Sequence, residues 1–200
     1  MSYLSIQKDD LFEKIKKRNQ ELNHYDYGFI YNGKKETENF DHYKTISPID
    51  FEKHKMGVCW DYVEVEARDL WSYGFNCTIK PLEKDKEFSL YYIIHTTKDG
   101  INPTHTWLGF RYNNSIYAFE SSWGKHQGMH KFINEKAMLN TYQRWHKEDI
   151  KSDIYNCYIF KFKPRTKFGK TPMQYMNSIH STGKCYFSTN TNHQKLDYHL

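Results

Sequence analysis

No run of this chain approaches the roughly eighteen apolar residues that a membrane-spanning helix needs, and its start, MSYLSIQKDDLFEKIKKR, is charged where a signal peptide would be apolar. A cytoplasmic protein without a membrane partner is the expectation. Cysteine is scarce and scattered: Cys59, Cys77, Cys157 and Cys185 form no C-x-x-C pair, and a chain of 200 residues folds without staples, so free thiols are expected. The eleven histidines include no H-E-x-x-H and no other spacing that gathers zinc, and no D-x-D-x-D-G calcium loop is present. No metal and no cofactor is expected. The 29 basic and 24 acidic residues leave a charge of +5 spread along the chain, without a single-strand or RNA-binding signature, which argues for a solvated face and against a nucleic-acid partner. No repeat or low-complexity linker marks a boundary in the N-terminal half. A single domain over 1–200 is expected, with a core at about 47–165, an N-terminal helix over 9–22 and a C-terminal segment over 166–200 as additions.

Aromatic residues make up 18% of the chain, which favours sheets, because such side chains pack well on pleated surfaces. Asp9 or Asp10 can cap the helix that carries Leu11, Ile15 and Leu22 and ends near Asn23. YDYGFIYNGK then reads as a strand with a turn at Asn32-Gly33, followed by an irregular polar stretch over 34–46. Ser47-Pro48 is a cap with proline in the first turn, opening a short helix that delivers the chain to Gly57.

From Gly57 to Phe75 the sequence is GVCWDYVEVEARDLWSYGF, with Val58, Tyr62, Val65, Leu70 and Tyr73 at helical spacing. Cys59 falls in the first turn, where free N–H groups and the macrodipole favour an anion and hence a thiolate; Asp61, close by, opposes ionisation. On this stretch alone the favoured reading of Cys59 is a small buried hydrophobe.

Phe75 to Ile79 reads as a short strand and FSLYYIIHTT, from Phe88, as a central strand buried on both faces, with a turn at Lys98-Asp99-Gly100. THTWLGFRY and SIYAFESSW flank Asn113-Asn114, residues that tolerate the left-handed conformations of a two-residue hairpin. That register pairs Tyr112 with Ser115, Phe110 with Tyr117, Leu108 with Phe119 and Trp107 with Glu120. Leu108, Phe110, Tyr112, Tyr117 and Phe119 then share a core face, and His105, Trp107, Gly109 and Glu120 the other. His105 and Glu120 become diagonal neighbours whose side chains can meet. Beyond the hairpin, His126 and His130 fall in a loop, as surface residues or cleft lining. A helix is expected over Asn134 to Lys147 with Ala137, Met138, Tyr142 and Trp145 inward, a strand over Ile154 to Lys163, a short helix from Thr171 to about His180, and a polar tail.

G-V-C-W-D at a helix start, T-H-T-W on one strand and Y-A-F-E on the next resemble the transglutaminase-like superfamily of cysteine peptidases, amidases and transglutaminases, over residues 47–125. The resemblance implies an α+β fold in which the nucleophile-bearing helix packs on an antiparallel sheet, papain-like in its core, with flanking helices. It makes Cys59 the nucleophile, His105 the base and Glu120 the orienting carboxylate, where the family usually has aspartate. His95 is the rival base. Members complete an oxyanion hole with the cysteine's own N–H and often an upstream donor, for which His42, Tyr43 and His54 qualify by position. Trp60 and Trp107 either wall the cleft or fill the gap between helix and sheet, with packing favoured. The implied function is cysteine-dependent acyl transfer, chiefly hydrolysis of amide, peptide or isopeptide bonds in a protein or peptide substrate. The alternatives are an amine-accepting transglutaminase and a catalytically silent fold that binds a partner protein. The resemblance also points to proteins of low-GC bacteria and their mobile elements, and the Lys, Asn, Tyr and Ile usage agrees with that coding bias.

Overall fold

The computed structural model describes residues 3–38, 40–94, 104–151, 156–171, 174 and 183–188. Within them a mostly antiparallel sheet of seven strands is accompanied by four α-helices. Strands β6 (Glu87–Ile94), β7 (Thr104–Tyr112), β8 (Ser115–Glu120) and β9 (Gly128–Phe132) are consecutive antiparallel neighbours. On the other flank of β6 lie β10 (Asn156–Phe160) and then β11 (Gly183–Ser188), while β5 (Asn76–Cys77) runs parallel beside its first residues. The chain turns from β7 to β8 at Asn113 and Asn114, both at positive φ, and pairs Tyr112 with Ser115, Phe110 with Tyr117 and Leu108 with Phe119, the register read from the sequence.

The alternation of β6 and β7 builds two cores. Phe88, Leu90, Tyr92, Leu108, Phe110 and Phe119 join α1 (Tyr3–Leu22) and α3 (Cys59–Ser72) in one of them. Tyr91, Ile93, Trp107 and Ala118 join Met138, Leu139, Tyr142 and Trp145 of α4 (Glu135–Asp149) in the other. Burial of each such large side chain contributes about 1.5–3 kcal/mol, which is why both faces of the sheet are covered. Gly109 belongs to the second core, where a Cβ would stand 2.7 Å from the Tyr91 ring.

The N-terminal region brings the chain to Cys59. β1 (Asp26–Tyr27) pairs in parallel with β4 (Met56–Gly57), and β2 (Phe29–Tyr31) forms a hairpin with β3 (Lys34–Glu36) through Asn32-Gly33, both at positive φ. Ser47 caps α2 (Pro48–His54), accepting the Asp50 N–H at 3.0 Å. At Gly57 a Cβ would meet the Phe51 ring at 2.6 Å, so only glycine lets the chain pass this close to α2 before α3 begins.

Several expectations are corrected. Helix α1 starts at Tyr3, not at the Asp9-Asp10 cap, because nothing in YLSIQK interrupts a helix and adding a turn to an existing helix is cheap. The stretch after Gly33 contains β3 and a short 3-10 turn at Phe40–His42. The α3 helix is buried on all sides from Cys59 to Ala67, acidic residues included, rather than along one stripe. β9 stands where a loop was expected, and the tail contributes β11 as an edge strand. His95, the Lys98-Asp99-Gly100 turn and most of the helix expected from Thr171 lie outside the described residues.

Candidate active site

Cys59 is the first residue of α3, after an extended Val58 at φ −104° and ψ 172°. The helix start is fixed by Asp61, whose buried carboxylate accepts the Val58 N–H and the Ile46 N–H, each at 3.2 Å, and the Tyr43 hydroxyl at 2.9 Å. Burial pushes the Asp61 carboxyl upward, against the Arg165 charge and these hydrogen bonds. Arg165 reaches Asp61 at 3.5 Å and Glu64 at 3.1 Å, and donates to the Trp60 carbonyl at 2.8 Å. The segment after β10 is thereby clamped to α3 by charge-assisted bonds.

His105 stands near the start of β7, where its ring meets groups of both helical layers. Its Nε2 lies 2.7 Å from Glu120 Oε2, and the Cys59 thiol is a near neighbour that acts on the ring. Burial alone would lower the His105 pKa; the Glu120 charge, with hydrogen bonds to Cys59 and Glu120, reverses this and raises it to about 10. The imidazolium form is therefore favoured at neutral pH. Glu120 is 1% exposed, yet its pKa is lowered, because the charge and hydrogen bond of His105 and the N–H groups of Ser122 and Trp123 outweigh burial. Around His105 stand Trp123 at 5.0 Å between ring centroids, Trp107 at 6.1 Å and Tyr142 at 6.3 Å.

Sequence reasoning missed Tyr27. Its hydroxyl lies close enough to Cys59 for the thiol and the backbone of that residue to act on it. Although 39% of the residue is exposed, the hydroxyl end is the enclosed one, and burial followed by the neighbouring Cys59 pushes the phenol well above its ordinary value. The cause is the β1–β4 pairing, which sets Tyr27 opposite Gly57 and so beside the helix start. Two-residue strands thirty residues apart leave no periodic signal, so only the hydrophobic repeat near Cys59 could be read. No family model matches the chain, and no curated protein matches its sequence.

The other proposed cleft residues sit elsewhere. Trp60 is buried in the core, with its ring 5.0 Å from Tyr92 and 6.1 Å from Phe160. Trp107 is stacked on Tyr142 at 3.9 Å. Tyr43 is spent on Asp61, and His42 is stacked on Tyr31 at 4.2 Å. His54 lines a cavity of about 210 Å³ with Phe29, Ile30, Ile46, Asp50 and Met56. His126 and His130 are not surface loop residues: the His126 ring is stacked on Trp145 at 4.1 Å and bonded to Asp149 at 3.0 Å, and the His130 ring meets the same tryptophan at 5.1 Å. Among the described residues no helix is long and apolar enough to cross a membrane, and no group of three or more His, Cys, Asp or Glu could hold a metal ion.

Proposed function

We propose that the protein is a cysteine-dependent acyl-transfer enzyme of the transglutaminase-like kind, with Cys59 as nucleophile, His105 as acid and base and Glu120 as orienting carboxylate. The observation that carries the reading is the buried His105–Glu120 bond of 2.7 Å with Cys59, at a helix start, as a neighbour that acts on the same imidazole. Sulfur attacks the carbonyl carbon of an amide, and the developing oxyanion is met by the Cys59 N–H. His105 passes its proton to the leaving nitrogen as the C–N bond breaks, leaving a thioester on Cys59. Water then adds to the thioester, giving a proton to His105, and the carboxylic acid departs as the thiolate re-forms. The Tyr27 hydroxyl, close beside Cys59, is suited to assist at the oxyanion. Water as acceptor is preferred to an amine because the sequence has no calcium loop of the kind that could gate a cross-linking enzyme.

One observation favours the second reading, a silent fold that binds a partner: Cys59 is only 4% exposed. A peptidyl electrophile separates the two. An adduct mapped to Cys59 by mass spectrometry and absent from Cys59→Ala supports the enzyme, whereas no adduct, or one only on Cys77, supports the binder. Cys77 is the control for non-specific labelling because it lines a separate surface cavity of about 380 Å³. Cys59-dependent incorporation of a biotinylated primary amine into lysate proteins, in place of cleavage, would replace hydrolysis by amine transfer.

A further inference from the structure

The donors on Glu120 are divided between its two oxygens. Oε1 accepts the Ser122 N–H at 3.0 Å, the Ser122 hydroxyl at 3.1 Å and the Trp123 N–H at 2.9 Å. Oε2 faces His105 Nε2 at 2.7 Å and accepts the Tyr142 hydroxyl at 3.1 Å. Two donors therefore share one oxygen. Tyr142 is fully buried on α4, its ring stacked on Trp107 at 3.9 Å and set against Trp145 at 4.9 Å, so the hydroxyl has little freedom to point elsewhere. Phenylalanine would fill the same apolar space, and the hydroxyl is what distinguishes the residue.

We propose that Tyr142 is a positioning residue of the Cys59–His105–Glu120 site, whose hydroxyl fixes the Glu120 carboxylate and competes with His105 for Oε2. By drawing on the same oxygen it limits how tightly the carboxylate holds the imidazolium, and so keeps the His105 proton available. The groups that bear on this pair from each neighbouring element are Cys59 and Glu66 on α3, Tyr142 and His146 on α4, Tyr27 on β1, and His126 in the turn before β9. None of the others donates to Oε2 among the described residues. The catalytic consequence rests on the acyl-transfer reading, but the effect on His105 does not.

The test is the titration of His105 followed by histidine ¹⁵N NMR, together with the downfield Nε2–H resonance at neutral pH. Tyr142→Phe is expected to raise the His105 midpoint by on the order of one pH unit and to move the Nε2–H resonance further downfield, since a hydrogen bond to a charged group is worth about a tenfold change in a protonation equilibrium. 3-Fluorotyrosine incorporated at position 142, a stronger donor on an almost unchanged ring, is expected to shift both in the opposite direction. It carries the test alone if Tyr142→Phe fails to fold. A merely structural tyrosine would not produce shifts of opposite sign. Unchanged His105 signals with a stronger donor at position 142 overturn the proposal. Should the shifts occur while Cys59 of the wild type refuses the peptidyl electrophile, the acyl-transfer reading falls and the positioning role stands.

Discussion

Glu120 and Glu66 are equally buried, at 1% exposure each, and carry opposite charge preferences. Glu120 meets five hydrogen-bonding groups, and its pKa is lowered despite burial. Glu66, on α3, makes no well-formed hydrogen bond through either carboxylate oxygen among the described residues. Burial drives its carboxyl well above the ordinary range, against what the Ser121 side chain and the Arg18 charge offer, and the nearby Glu120 adds to the rise. Donors, not depth, decide which buried acid is charged. The chain gathers its donors around the acid beside His105, and burial pushes the carboxyl of the other one upward.

Removing the carboxylate that carries the charge should have the largest effect. Glu120→Ala strands the His105 ring, the Tyr142 hydroxyl and the Ser122 and Trp123 N–H groups, and is expected to cost about 3–5 kcal/mol in urea denaturation, as loss of one partner from a buried ionic pair does. The pair also has a pH signature. Glu120, lowered in the fold, contributes stability above its unfolded value of about 4.3, and that contribution is lost as pH falls through the folded value. His105, raised to about 10 from 6.5, contributes stability that is full below 6.5 and lost as pH rises through about 10. In Glu120→Gln both flanks of the stability profile should flatten.

A smaller effect of opposite sign is expected at Glu66. Its raised pKa means that the fold loses stability as pH rises from the unfolded carboxyl value, so Glu66→Gln should raise the denaturation midpoint at pH 8 and leave it nearly unchanged at pH 4. A variant less stable at pH 8 would show that Glu66 is ionised and paired after all, and the contrast with Glu120 would disappear. The smallest effect belongs to Ser122→Ala, which removes one donor from Oε1 while the two N–H groups on that oxygen remain; about 1 kcal/mol is expected.

The Glu120 half of this contrast was legible and the Glu66 half was not. Two asparagines set the hairpin register, and register alone put His105 and Glu120 within reach. Glu66 looks like a solvent-facing residue of an amphipathic helix, because nothing local says that α1 and the turn after β8 will meet beside it. The role of Tyr142 was hidden by its own apolar ring: helical spacing points it inward, but which polar group waits there depends on where α4 lands on the sheet. β9 was lost because GMHKF has neither a clean alternation nor a β-branched residue. Strand β11 was lost because its neighbours are polar, and pairing with β10 rather than composition makes it a strand.

The central claim, that Cys59, His105 and Glu120 act as one chemical unit, is tested most directly by the alkylation rate of each cysteine in the folded protein at neutral pH, in the wild type and in His105→Ala. Cys157 is fully buried, and burial raises the Cys77 thiol to about 11, so both are internal standards for a slow thiol. Cys59 is expected to react with iodoacetamide fastest despite its enclosure, and His105→Ala to slow it by about a hundredfold or more. Cys59 reacting last, or reacting at the same rate without His105, would contradict it.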